Sequence, residues 1–121
     1  MNPWLGAAAV TAFSTFLIHT VVGGRLIARP LLAARDLPRV PRLTVYYCWH
    51  MVSLLLLGLA GALAWGAYHP NPALIVLSCA LATAFAALSL ALIAAGRVKP
   101  WHMPQWALFL VIALLSGRGL L

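Results

Sequence analysis

Four stretches of this chain carry no charged side chain at all: about 3–23, 43–66, 73–95 and 104–117. Apolar runs of that length have two places to go, the core of a large protein or a lipid bilayer. The chain has only 121 residues, 64% of them hydrophobic and 7% charged. A soluble domain of this size hides roughly two-thirds of its unfolded surface and is about 25% charged. A soluble monomer is therefore excluded. A disordered chain is excluded as well, because disorder requires low hydrophobicity and many charges. The expected fold class is all-α and integral to the membrane. It has four transmembrane helices in a single domain over 1–121, with a short basic interfacial segment, 24–42, between the first and second.

The first three runs meet the roughly 17–25 residues that a spanning helix needs. The fourth is short and recruits Trp101–Met103 before it and Arg118–Leu121 after it. The first run is read as a retained span rather than a cleaved leader. Nothing basic precedes Trp4, and the run ends in Gly23-Gly24-Arg25-Leu26, a poor cleavage site.

Charge orients the chain. Eight Lys and Arg oppose one acidic residue, Asp36. The connection between the first two spans holds Arg25, Arg29, Arg35, Arg39 and Arg42, and the one after the third holds Arg97 and Lys99. The connection at 67–72 holds none. The positive-inside rule puts the basic connections in the cytoplasm and both termini outside, as expected in a bacterial inner membrane. Tyr46, Tyr47, Trp49, Trp101 and Trp106 fall at the same expected interface. The basic balance suits anionic lipid headgroups, contacted by those five arginines of the first connection. No groove-reading motif accompanies it, so nucleic acid is not an expected partner.

Gly23-Gly24 is expected to end the first helix. Arg25–Arg35 then reads as a short amphipathic helix on the membrane surface, with Pro41 opening the second span. Cys48 and Cys79 lie toward opposite ends of adjacent spans, roughly 13 Å apart along the normal. A disulfide needs α-carbons within about 7 Å, so both are expected as free thiols.

Chemistry is sparse. The spans contain no Asp, Glu, Lys or Arg, which disfavours a proton-driven transporter. His19, His50 and His102 all fall toward the cytoplasmic side, and imidazole ligates metals and haem. They form the candidate metal site. The competing reading is structural: Thr11, Thr15 and His19 share a face, as do His50 and Ser53, and such faces can bond each other. No cofactor is required by the pattern; a metal ion or haem is the alternative. No H-x-x-H spacing is present.

Small residues repeat every fourth position: Gly58, Ala62 and Gly66 on the second span; Thr83, Ala87 and Ala91 on the third. Such stripes let helices approach closely in lipid. They suggest packing within the bundle, against a second copy, or against another membrane subunit. The leading functional reading is a small, non-catalytic inner-membrane subunit or accessory protein. The alternatives are a metal- or haem-binding redox component and a small channel or facilitator. Phe13-Ser14-Thr15-Phe16 resembles a motif of the four-span fluoride channels. Those channels carry it in a later span, after a glycine-rich, arginine-containing first helix that is absent here. The length is similar to that of small multidrug exporters, whose intramembrane glutamate has no counterpart.

Overall fold

The first helix starts where the chain supplies its own cap. Asn2 Oδ1 accepts the backbone N–H groups of Trp4 (3.1 Å) and Leu5 (3.3 Å). Pro3 fits the first turn because it has no N–H to satisfy. The computed structural model describes all residues, Met1–Leu121. Helix α1 spans Pro3–Leu17, and the chain stays helical through a π-helical stretch, Ile18–Ala28, into a short helix α2, Arg29–Ala33. A turn leads to α3, Arg39–Tyr68. Helix α4 is Pro72–Gly96, capped by Asn71 Oδ1 on Leu74 N–H at 3.1 Å. A 3₁₀ turn at Pro100–His102 precedes α5, Gln105–Gly119. There are no strands.

Three helical segments are long and apolar enough to cross a membrane: Pro3–Ala33, Arg39–Tyr68 and Pro72–Gly96. Helix α5 is apolar but has 15 residues. At 1.5 Å per residue that is about 22 Å, against a hydrocarbon core of about 30 Å.

Two expectations need correction. Gly23-Gly24 does not end the first helix, and no separate surface helix follows. In hydrocarbon every backbone group needs an internal partner, so an uncapped break is costly. The helix widens instead: Arg29 N–H bonds Gly24 carbonyl, five residues back, in place of the usual four. Within the segment expected at 24–42, residues 24–33 are therefore helical and continuous with α1, and only 34–38 form a turn. Its arginines ride on helices, Arg25 and Arg29 on the first, Arg39 and Arg42 on α3. Pro41 falls within the first turn of α3, which Pro38 precedes as cap. Arg42 closes the turn by donating to Ala34 carbonyl at 3.0 Å.

Helix α1 packs against both α3 and α5, and α5 packs against α4. Helices α3 and α4 touch far less. The bundle is thus a row, α3–α1–α5–α4, folded round until its outer members meet near their shared turn. The core is built from narrow faces: Leu5, Ala8 and Ala12 on α1; Leu56 and Leu63 on α3; Ala82 and Ala86 on α4; Phe109 and Ile112 on α5. Alanine at these positions brings backbones close, which maximises dispersion where lipid removes the hydrophobic drive. Four of the five buried hydroxyls bond carbonyls of their own helices, and Ser89 Oγ has no partner. Thr15 donates to Thr11 carbonyl, Ser53 to Trp49, Ser78 to Leu74 and Ser116 to Ile112.

One end of the bundle is tied by Asn2. Its backbone N–H donates to Ala67 carbonyl of α3, and its Nδ2 to Gly119 carbonyl of α5, both at 2.8 Å. Arg118 lies over the Trp4 ring, 5.6 Å from its centroid.

Candidate functional site

The polar feature that joins two helices at the other end is His19. It sits on the second residue of the π-helical stretch and faces α3. Its Nε2 lies 3.1 Å from Trp49 carbonyl, and its ring stacks on the Trp49 indole with centroids 4.4 Å apart. That carbonyl also accepts Ser53 Oγ at 3.3 Å. The contact to an oxygen makes Nε2 the protonated nitrogen of this imidazole.

The wide π turns and the two glycines serve the same contact. A Cβ at Gly23 would stand 3.9 Å from the Trp49 indole, and one at Gly24 would stand 3.8 Å from it. The indole therefore lies within van der Waals reach of the glycine pair, with His19 stacked on it. Tyr46 and His50 extend the cluster along α3. His50 meets Tyr46 edge-on at 4.5 Å and Trp49 at 5.1 Å. The Tyr46 ring is parallel to the Trp49 indole, with centroids 6.3 Å apart.

His19 thus points to the neighbouring helix as expected, but His50 does not return the contact. It is exposed on the flank of α3 among aromatic rings of its own helix. His102 is exposed in the 3₁₀ turn, beside Trp101. No group of three His, Cys, Asp or Glu side chains comes together to hold a metal ion, so His19, His50 and His102 do not form one site. The reason is angular: Ser53 enters the core, and His50, nearly one turn earlier, falls just outside the buried arc.

The other expected residues separate in the same way. Gly66 is buried, and a Cβ there would press Ile75 at 3.3 Å. Gly58 faces open space and Ala62 is half-buried. Thr83, Ala87 and Ala91 look outward from α4, whose inward face is Ile75, Ser78, Ala82, Ala86, Ser89 and Ile93. Val76, Cys79, Thr83 and Ala87 line a shallow outer groove beside Leu120. Cys48 and Cys79 are free thiols, as expected; Cys79 Sγ donates weakly to Ala113 carbonyl of α5 at 3.4 Å. Arg25, Arg29, Arg35 and Arg39 are exposed, while Arg42 is half-buried by its turn contact.

Sequence reasoning overlooked Asn2 as a structural tie and Trp49 as the partner of His19. Asn2 could have been found, since Asn directly before Pro is an N-cap signature. Trp49 carried only the signal of an interfacial aromatic. Comparison with protein-family models, with curated proteins and with solved structures finds no match.

Proposed function

We propose that the chain is a small four-span subunit or accessory protein of a bacterial inner membrane, associating with a second copy or a larger membrane complex through the outer face of α4. The observation carrying this reading is that Thr83, Ala87 and Ala91 are small, aligned and outward-facing, although the bundle core is complete without them. A flat small-residue face gains dispersion against another helix that it cannot gain against disordered lipid chains.

In this reading α5 completes the fourth span by tilting or by local bilayer thinning, with Arg118 snorkelling to the interface. The arginine-bearing end lies in the cytoplasm, and both termini lie outside. The inter-helix carbonyl and aromatic contacts of the half-buried His19 support a structural latch rather than a metal or haem ligand.

Ala87→Leu and Thr83→Leu, sized in mild detergent, test the association. Both are expected to reduce the assembled form, while Leu110→Ala on α5 leaves it unchanged. Full assembly of both leucine variants would refute the α4 interface. A reporter fused after Leu121 is expected to be active outside the cytoplasm; cytoplasmic activity would overturn the orientation.

A further inference from the structure

One stripe of α3 is turned fully away from the bundle. Tyr47, His50, Leu54, Leu57, Gly61 and Ala64 follow one another at alternating steps of three and four residues, and all six are exposed. That is the heptad spacing by which two helices of the same direction wind together. A Cβ at Gly61 would find no atom within 4 Å, so nothing of this chain covers the stripe there.

Most of the stripe suits lipid, but His50 does not. It lies about 12 Å along the helix from Arg42 and about 24 Å from Gly66, at 1.5 Å per residue. Against a hydrocarbon core of about 30 Å, both measures put the ring inside the apolar layer. Its neighbours are the Tyr46 and Trp49 rings, which it meets edge-on. Unlike His19, whose Nε2 has the Trp49 carbonyl, it makes no hydrogen bond to its own chain. A neutral imidazole carries one N–H donor and one bare nitrogen that accepts. Leaving such groups unpaired in hydrocarbon is costly, and ionisable residues within spans almost always face a protein interior or a polar cavity.

The donor and acceptor pattern selects what covers the ring. Phospholipid at this depth offers ester oxygens, which accept and cannot donate to the bare nitrogen. A second copy of this chain offers both kinds of group: an imidazole with its N–H and its bare nitrogen, and the Tyr47 hydroxyl one turn away. The arginine-rich connection gives every copy the same orientation in the membrane. A two-fold axis along the membrane normal then sets each residue level with its own counterpart.

We propose that the outer stripe of α3 is a parallel homodimer seam, in which His50 is hydrogen-bonded to the partner's His50 and fixes the register. The seam rests on the membrane reading above but not on the α4 interface. Leu54 and Leu57 supply the packing, and Gly61 and Ala64 let the two backbones approach.

The test is oxidative cross-linking of the full chain in vesicles of phosphatidylethanolamine and phosphatidylglycerol, over a range of protein-to-lipid ratios. Cys48→Ala and Cys79→Ala remove the native thiols, and Gly61→Cys places one on the seam. A disulfide needs α-carbons within about 7 Å, so rapid dimer formation is expected at Gly61 and not at Leu110→Cys on the outer face of α5. Adding His50→Leu is expected to raise the protein-to-lipid ratio needed for half cross-linking about three- to twentyfold, with helical circular dichroism unchanged. His50→Asn keeps a donor and an acceptor and is expected to retain most of the association. Thr83→Leu is expected to leave this cross-link as it was, so a failed α4 interface and a failed α3 seam are told apart. Cross-linking at Gly61 no faster than at Leu110 would overturn the proposal and give the stripe to lipid or to another subunit. A His50→Leu chain that associates like its parent would overturn it too, leaving the ring to lipid esters. Release of the chain from membranes by alkaline carbonate would overturn the membrane reading itself.

Discussion

Gly119 is the place where one added carbon should be felt most. A Cβ there would lie 2.5 Å from Leu5 Cδ2 and 2.7 Å from Leu5 Cγ, about 1 Å inside ordinary contact. Leu5 cannot swing aside freely. It is 1% exposed, and its Cδ1 already stands 3.8 Å from where a Cβ on Gly66 would be. It is held between α3 and α5. Overpacking of this kind costs about 1–3 kcal/mol. Alanine's better helix propensity offsets at most about 1 kcal/mol, and less in a last turn. Sterics wins, so Gly119→Ala is expected to destabilise the bundle by about 1–2 kcal/mol. Leu5→Ala alone should also destabilise, by leaving a cavity. The double variant should be more stable than the sum of the two, by about 0.5–2 kcal/mol, because each relieves the other. Reversible unfolding in detergent, followed by helical circular dichroism, measures all four corners of the cycle. Strict additivity, or a Gly119→Ala protein as stable as the parent, would refute the pinning of Leu5.

Three further outcomes follow from named contacts. His19→Ala removes the inter-helix contact to Trp49 carbonyl and should cost about 0.6–1.7 kcal/mol, the range for hydrogen bonds in membrane bundles; quenched-emission spectra of Trp49, with the other tryptophans replaced by Phe, should show greater iodide access. Asn2→Ala deletes the cap and the tie to Gly119, so unfolding measurements should register a loss of about 1–2 kcal/mol, and an unchanged protein would remove Asn2 from the account. Gly23→Ala should be tolerated within about 0.5 kcal/mol, since its Cβ meets the Trp49 indole only at van der Waals distance; a large loss there would mean that the π turns need glycine for more than space.

Hydropathy located the long helices well because their charges stop abruptly: Arg25, Arg42 and Arg97 bracket apolar runs that contain no carboxylate or lysine. It erred where two rules compete. Gly23-Gly24 favours a helix stop in water, but lipid penalises unpaired backbone groups, and the helix continued in widened form. Small-residue periodicity fixed which residues share a face of α4 without saying where that face points. Ser78, Ala82, Ala86 and Ser89 are as small as Thr83, Ala87 and Ala91, so size alone could not choose between core and exterior. The histidines show the same limit. Depth along the span follows from residue number, which placed His19 and His50 at one level; rotation about the helix is decided by packing, and it left only His19 between helices.

The order of the row, α3–α1–α5–α4, also bears on how the protein is made. Synthesis delivers α3 soon after α1, so the first contact pair can close early. Helix α4 comes next and finds only the sparse α3 edge to lean on. Its proper neighbour, α5, follows it, and the same helix supplies the remaining wall for α1 and the carbonyl that Asn2 grips. The contacts therefore divide into two hairpins, α1 with α3 and α4 with α5, joined by the packing of α1 on α5. Without α5, α4 keeps only its few contacts with α3. A nascent chain stalled before Gln105 would present that half-built state to the proteases and chaperones that inspect new membrane proteins, whereas one stalled within α5 would already be partly locked.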